Sequence, residues 1–278
     1  MSTQGPSSST PQPIPGVNAI IAVGSGKGGV GKTTLSVNLA IALQRLGYKV
    51  GLLDADIYGP NVPLMLGAVA QPVASKDDRI QPPERYGLKV ISVGLLNPGD
   101  SPLVWRGPML HSVIKQFLGQ VEWGELDYLI VDLPPGTGDV VISLTQSVPL
   151  TGAVVVTTPS DVSLQDARKA IEMFKMVKVN LLGLVENMSY LICPHCHHEV
   201  DVFSTGGGER TASRFELPFL GKIEIDPSIR EAGDGGHPIT LAGEQDSHAV
   251  SLYGFARKVI EQVKARQESA GGGVLSVD

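Results

Sequence analysis

The stretch that decides the fold of this chain is Gly24-Ser25-Gly26-Lys27-Gly28-Gly29-Val30-Gly31-Lys32-Thr33-Thr34. An apolar run, residues 19–23, precedes it, and a segment with helical patterning, residues 35–43, follows it. Gly26, four intervening residues and then Gly31-Lys32-Thr33 fit the phosphate-loop template G-x-x-x-x-G-K-S/T in its required strand–turn–helix setting. The stretch therefore predicts a nucleotide-binding loop.

The residue types of this loop suit the binding of an anion. Glycines let consecutive backbone N–H groups approach a phosphate without Cβ clashes, and the helix that starts near Lys32 adds its positive end. We expect the Lys32 ammonium to reach the β- and γ-phosphates and the Thr33 hydroxyl to ligate Mg²⁺. The predicted nucleotide-binding residues of the loop are Gly26, Lys27, Gly28, Gly29, Val30, Gly31, Lys32, Thr33 and Thr34.

The composition is that of a globular protein, because 42% of the 278 residues are hydrophobic and 18% are charged. The net charge of −6 argues against a large nucleic-acid footprint. No apolar run reaches the ~18 residues that a transmembrane helix needs. The Ser-, Thr-, Gln- and Pro-rich residues 1–15 lack the order of a signal peptide. We therefore expect a cytoplasmic protein without nucleic-acid or membrane partners, whose cysteines are reduced.

Apolar runs of strand length alternate with helical patterns along the chain, which is typical of a mostly parallel sheet with helices on both faces. The predicted strands after the loop are residues 49–53, 88–93, 128–132, 153–157, 181–185 and 218–221. The predicted later helices are residues 109–118, 164–177, 206–215 and 250–263. We predict one α/β P-loop domain over residues 16–268 with a Cys-x-x-Cys insertion near 190–204, a disordered tail over 1–15 and a flexible tail over 269–278.

Acidic residues follow two of the predicted strands. Asp132 ends one of them, where a carboxylate can polarise a Mg²⁺-bound water. Asp54 and Asp56 follow another, and two residues apart in an extended chain they face the same side. Ligands of open α/β sheets bind at the carboxyl ends of the strands, so these acids are candidates for the metal shell. Local turn hydrogen bonding by the two earlier acids is the structural alternative.

The only two cysteines of the chain form the motif Cys193-Pro194-His195-Cys196. Two such thiolates can bind a common metal centre. A tetrahedral metal site or a cubane cluster needs four ligands, which a two-fold dimer would supply from two chains.

Three other interpretations of the cysteine pair remain open. An intrachain zinc site would add two of the neighbouring histidines, His195, His197 and His198. A redox pair would normally lie at a helix N-terminus, whereas residues 197–203 have an extended pattern. A Zn²⁺ ion bridged by four thiolates across a dimer cannot be distinguished from a cluster by sequence.

The position of Lys27, five residues before Lys32, is not part of the basic template. The segment from Gly26 to Thr34 resembles the deviant Walker A loop of the Mrp/MinD/ParA class of nucleotide-binding proteins, and the cysteine pair resembles that of the Mrp/ApbC iron–sulfur carriers. The resemblance covers the chain from Gly16 to about Gln267. It implies that Lys27 crosses a two-fold interface and stabilises charge on the partner's nucleotide, as an arginine finger does elsewhere.

The same resemblance implies roles for further residues. Asp56 would orient the attacking water, and Asp54 would support Mg²⁺ or its waters. The stretch from Asp132 to Asp139 looks like the second switch of the family. Asn187 would contact adenine, which favours ATP over GTP. The implied catalytic residues are Lys27, Lys32 and Asp56.

As a whole, the resemblance implies an ATP-hydrolysing homodimer that binds a [4Fe–4S] cluster through Cys193 and Cys196 of both chains. It would deliver the cluster to apo iron–sulfur proteins and also meet cluster scaffold proteins. A MinD- or ParA-like positioning ATPase is the second hypothesis, although residues 271–278 cannot form a basic membrane helix and the acidic balance disfavours DNA. A chaperone that inserts nickel or zinc is the third.

Overall fold

The structure, a computed structural model, describes residues 11–57, 59–67, 69–75, 77–96, 107–136, 138–204 and 206–271. Its strands are β1 Val17–Ser25, β2 Val50–Asp54, β3 Val73–Ala74, β4 Ile80–Gln81, β5 Glu84–Arg85, β6 Leu88–Ser92, β7 Leu126–Asp132, β8 Gly152–Thr157, β9 Leu181–Glu186, β10 Leu191–Ile192, β11 Glu199–Val200 and β12 Phe219–Lys222. Its helices are α1 Lys32–Arg45, α2 Val62–Met65, α3 Val93–Leu96, α4 Gly107–Gly119, α5 Asp139–Ser147, α6 Asp161–Met176, α7 Gly207–Arg214, α8 Pro227–Asp234 and α9 Val250–Gly271, with a 3₁₀ turn at Ile239–Ala242.

The main sheet has, within the described residues, eight strands in the order β12-β9-β8-β1-β7-β2-β6-β5. All neighbouring strands pair in parallel except β5 and β6 at one edge. The predicted fold class, a single α/β domain built on a mostly parallel sheet, is confirmed. The carboxyl ends of β1, β2, β7, β8 and β9 therefore meet at one edge of the sheet, where ligands of such folds bind.

The core lies on both faces of the sheet, because successive residues of a strand point to opposite sides. On β1, Ile21 and Val23 pack into the cluster that contains residues of α1 and α9. Ile20 and Ala22 pack into the cluster that contains residues of α4, α5 and α6. Helix α1 is buried from Leu35 through Leu43, which fits its apolar character on all sides. This burial fixes the helix that follows the phosphate loop.

Among the described helices of eight or more residues, two were not predicted from the sequence, α5 and α8. Helix α5 follows a glycine-rich loop that concealed its start. Helix α8 carries ordinary start signals: the Asp226 carboxylate accepts a hydrogen bond from Ser228 N at 2.8 Å, and Pro227 occupies the first turn. The irregular segment predicted after Asp56 contains the short elements α2, β3 and β4.

The predicted tails are partly outside the described residues, which exclude 1–10 and 272–278. Of the described part, Ile14 is buried, and Gln12 N donates a hydrogen bond to Ser147 O at 3.1 Å. Helix α9 continues to Gly271, into the segment predicted as the C-terminal tail. Among the helices of the described residues, none has both the length and the apolar character needed to cross a bilayer.

Candidate functional site

The phosphate loop connects β1 to α1 and has the backbone conformation that its glycines allow. Gly29 and Gly31 have φ angles of +80° and +81°, a region that side chains with a Cβ rarely adopt. Ser25 Oγ donates a hydrogen bond to Lys27 O at 2.9 Å and tightens the turn. Helix α1 begins at Lys32 directly after Gly31, so its positive end faces the loop, as an anion site requires.

Asp132 is the centre of a buried polar cluster at the end of β7. Its side chain is 0% exposed, and Lys32 Nζ lies 2.8 Å from its Oδ2. Thr33 Oγ1 donates to the same oxygen at 2.7 Å, and Ser36 Oγ donates to Oδ1 at 2.6 Å. A buried carboxylate is tolerated when it is paired and hydrogen-bonded in this way. The structure thus brings together the predicted metal-shell residues Thr33 and Asp132 with the predicted phosphate lysine.

Ser36 is a site residue that the sequence analysis missed. It lies four residues after Lys32 on α1 and accordingly on the same helix face, and its hydroxyl also contacts Lys32 O at 3.1 Å. This spacing of four residues from the phosphate lysine could have identified Ser36 from the sequence. The hydroxyl fixes the Asp132 carboxylate from the side opposite to its contacts with the lysine and the threonine, since it bonds the other oxygen.

Asp54 lies beside Asp132, because β2 and β7 pair in a register that places the two residues opposite each other. Burial, and next to it the negative charge of the neighbouring Asp132, raise the pKa of Asp54 to about 7, although three hydrogen bonds act to lower it. Those bonds come from Asp56 N at 3.1 Å, Ser92 Oγ at 3.0 Å and Val62 N at 3.3 Å. Two carboxyl groups next to a threonine hydroxyl are hard oxygen donors of the kind that Mg²⁺ prefers, so these residues fit a magnesium site.

A cleft of about 650 Å³ opens over the phosphate loop and contains the other predicted nucleotide residues. Lys27, Asp56 and Asn187 line it, together with Pro135 and, on the far wall, residues of α8. Asn187 follows β9 and donates a hydrogen bond through Nδ2 to Val30 O at 2.9 Å. The structure therefore brings the predicted nucleotide residues to one cleft, except Gly26, which does not line it. Residue 137 of the predicted second switch is outside the described residues.

Lys27 differs from Lys32 in its surroundings. It is half-buried at the cleft, and within the described part of the chain its ammonium group has neither a hydrogen bond nor an ion pair. The Lys32 ammonium is instead held by Asp132. A lysine at a nucleotide cleft that has no partner among the described residues is available for a contact outside its own chain.

The two cysteines lie in the turn of a small hairpin formed by β10 and β11. Cys193 N donates to His198 O and His197 N donates to Cys193 O, both at 2.9 Å. Cys193 is half-buried and Cys196 is exposed. The backbone N–H groups of Cys196 and His195 lower the pKa of the Cys193 thiol below its ordinary value. Both thiols are thus accessible, and Cys193 is biased toward the thiolate, the form that binds metal.

The other His and acidic side chains of the hairpin are not grouped with the two thiols into a metal site. In the described residues, which include the whole of 190–204, no three His, Cys, Asp or Glu side chains are grouped as a metal site, and β11 rather than a helix follows the pair. The cysteines are not among the residues lining the nucleotide cleft. The hairpin and the residues directly after it carry exposed apolar side chains, and they are Ile192, Val200, Val202 and Phe203, each 43–55% exposed.

Known proteins are similar to this chain in sequence and in structure. Residues 16–260 match the family described as the ParA-type NUBPL iron-transfer P-loop NTPase. The chain is 50% identical over 256 residues to an iron–sulfur cluster carrier protein of Aquifex aeolicus, covering 91% of this chain and 70% of that protein. A nucleotide-binding protein of Archaeoglobus fulgidus in complex with ADP is 38% identical with a TM-score of 0.70, covering 80% of this chain and 87% of that one.

A more distant structure shares the fold alone. The septum site-determining protein MinD of Pyrococcus horikoshii, complexed with Mg-ADP, is 24% identical with a TM-score of 0.65, and the match covers 90% of this chain and 98% of that one.

Proposed function

Because this chain belongs to the NUBPL iron-transfer P-loop NTPase family, we propose that it is an ATP-binding and ATP-hydrolysing carrier of [4Fe–4S] clusters. Its cargo would be held across a homodimer and transferred to apo iron–sulfur proteins. One observation supports this most directly: the same chain carries the phosphate loop and two accessible thiols in an exposed turn. At the cleft, Lys27 has no partner among the residues that the structure describes.

ATP would bind with its phosphates at the loop and the N-terminus of α1. Lys32 would contact the β- and γ-phosphates, and Thr33 and Asp132, supported by Asp54, would form the magnesium shell. When bound, Mg²⁺ supplies neutralisation of the phosphate charge. Asp56 at the cleft would orient the attacking water, and Asn187 would contact adenine. Lys27 would reach the nucleotide of the partner chain.

The cluster, as cargo, would need four soft ligands. One chain offers Cys193 and Cys196, so two chains related by a two-fold axis complete the set. The exposed apolar side chains around the hairpin support this assembly, because contiguous exposed apolar surface marks contact sites. Cluster scaffold proteins as donors and a cytoplasmic location remain predictions from the sequence.

The decisive experiment separates the two sites. Anaerobically reconstituted Cys193→Ala and Cys196→Ala variants should lose iron and sulfide but bind ATP like the wild type. His195→Ala is the matched control, because it changes the same turn without removing a thiol. Loss of metal from the His195→Ala variant, or zinc in place of iron and sulfide in the wild type, would contradict the cluster.

The nucleotide arm uses the two lysines. Lys32→Ala should abolish ATP binding and leave cluster reconstitution intact. Lys27→Ala should keep ATP binding but slow hydrolysis, and because the Lys27 ammonium has no partner within the described chain, folding should be unaffected. Unchanged hydrolysis in the Lys27→Ala variant would contradict a role of this lysine in trans.

A further inference from the structure

Glu186, at the carboxyl end of β9, is a fully buried acidic residue that neither the nucleotide nor the cargo chemistry above uses. No cation forms an ion pair with it in the described part of the structure. Burying a carboxyl group is costly unless hydrogen bonds replace its water. The groups that bond to it therefore indicate why an acid is present there.

The two carboxyl oxygens of Glu186 hold the two ends of one segment. Ser189 Oγ donates to Oε1 at 2.6 Å, and Gly208 N donates to Oε2. Between these partners lies the cysteine segment, residues 190–207, which contains the hairpin. Gly208 is in the first turn of α7, and a Cβ added there would lie 2.7 Å from Oε2. The carboxyl group thus joins the two ends of the cysteine segment, and it is packed directly against Gly208.

The same short stretch of chain contacts the phosphate loop. Asn187, adjacent to Glu186, donates through Nδ2 to Val30 O, and its backbone N donates to Thr157 O at 2.8 Å. Two backbone hydrogen bonds with Ile223 hold the stretch further. Ile223 N donates to Glu186 O at 2.9 Å, and Ser189 N donates to Ile223 O at 2.8 Å. Residues 186–189 therefore form a braced bridge between the phosphate loop and the cysteine segment.

We propose that Glu186 is a positioning residue through which nucleotide binding at the loop changes metal binding at the cysteines. This inference rests on the proposed function, since it supplies the connection between the two sites. A displacement of Asn187 by a nucleotide moves residues 186–189, and the carboxyl group transmits that movement to both ends of the cysteine segment at once. Without it, the hydrogen bonds to Ser189 Oγ and Gly208 N at the two ends of the segment are lost.

The test measures the coupling between the two sites, with Zn²⁺ as the metal probe and a non-hydrolysable ATP analogue with Mg²⁺ as the nucleotide. Zn²⁺ affinity is determined on the full chain under anaerobic conditions by competition with a chromophoric chelator, with and without nucleotide. Metal bound elsewhere is subtracted with the Cys196→Ala variant. Because coupling is reciprocal, the nucleotide affinity with and without Zn²⁺ must give the same ratio.

The variants are Glu186→Gln and Ser189→Ala. The control is Ser163→Ala, which removes another buried serine hydroxyl. Ser163 lies on α6, and its Oγ accepts hydrogen bonds from Thr158 Oγ1 and Ser160 Oγ. In the wild type, we expect the Zn²⁺ affinities with and without nucleotide to differ by at least about fivefold, as is usual for coupled sites. In both test variants the ratio of these two affinities should be less than about two. The Zn²⁺ affinity and the nucleotide affinity, each measured alone, should stay within about threefold of the wild type. A merely structural role would change melting temperature and both affinities but not the ratio.

Three results would overturn the inference: test variants that keep the wild-type ratio, a Ser163→Ala variant that loses it equally, or a wild-type ratio of one. The last result leaves nucleotide and cluster binding intact as proposals. Failure of the proposed function would appear earlier, as a wild-type protein whose cysteines bind no metal.

Discussion

Replacement of Gly31 by alanine should destabilise the protein more than replacement of Gly29, although both glycines have nearly the same backbone conformation. Their φ angles are +81° and +80°, so each substitution forces a side chain into the left-handed region at about 1–2 kcal/mol. The space around them differs. A Cβ at Gly29 meets no atom within 4 Å, whereas a Cβ at Gly31 would lie 2.1 Å from Asn187 Nδ2.

Gly31→Ala lowers the free energy of unfolding further because the added Cβ displaces the side chain of Asn187. Its side chain is 6% exposed and donates to Val30 O, so moving it away from a Cβ breaks a buried hydrogen bond. An unsatisfied buried group costs about 1–3 kcal/mol. We therefore expect Gly31→Ala to lower the free energy of unfolding by about 2–5 kcal/mol, against about 1–2 kcal/mol for Gly29→Ala.

The assay is equilibrium urea unfolding without nucleotide, followed by the fluorescence of the buried Trp123. An unchanged m-value would show that the variants unfold from the same compact state. In an Asn187→Ala background, the difference between the two glycine variants should fall below about 0.5 kcal/mol. Equal stability of Gly29→Ala and Gly31→Ala in the wild-type background would refute the reasoning, because the contact with Asn187 would then be absent.

Three further predictions concern other parts of the molecule. The Asp226 carboxylate raises the pKa of His248 above its ordinary 6.5, so this ion pair stabilises the fold fully below pH 6.5 and is lost as the pH rises through the higher folded value. The free energy of unfolding of His248→Asn, measured with urea, should equal that of the wild type at high pH and be lower than it at low pH. A difference that does not change with pH would contradict the ion pair. Ser36→Ala should cost about 1–3 kcal/mol and slow Mg²⁺-dependent ATP hydrolysis, because one Asp132 oxygen loses its donor; unchanged stability and rate would exclude that role. Phe203→Ser, at an exposed position, should leave monomer stability within about 0.5 kcal/mol but weaken self-association in sedimentation; unaltered association would argue against a dimer contact at the hairpin.

Much of the fold and of the candidate site could be predicted from local patterns. The spacing from Gly26 to Thr33 specifies a strand, a turn and a helix in consecutive residues, and the structure has all three. The acid that ends β7 and the spacing of the two cysteines were also local signals. These features are readable because covalent spacing alone determines how neighbouring residues are arranged.

Other features were decided by the tertiary structure. Burial and the neighbouring Asp132 raise the pKa of Asp54, and the two acids meet only because β2 and β7 are neighbours in this register. Asn187 contacts Val30 across 157 residues of sequence, and Glu186 joins the two ends of the cysteine segment. No local pattern encodes the order of strands in the sheet, so the sequence by itself determined which groups the chain carries at its strand ends. The packing of the strands decided which of those groups touch.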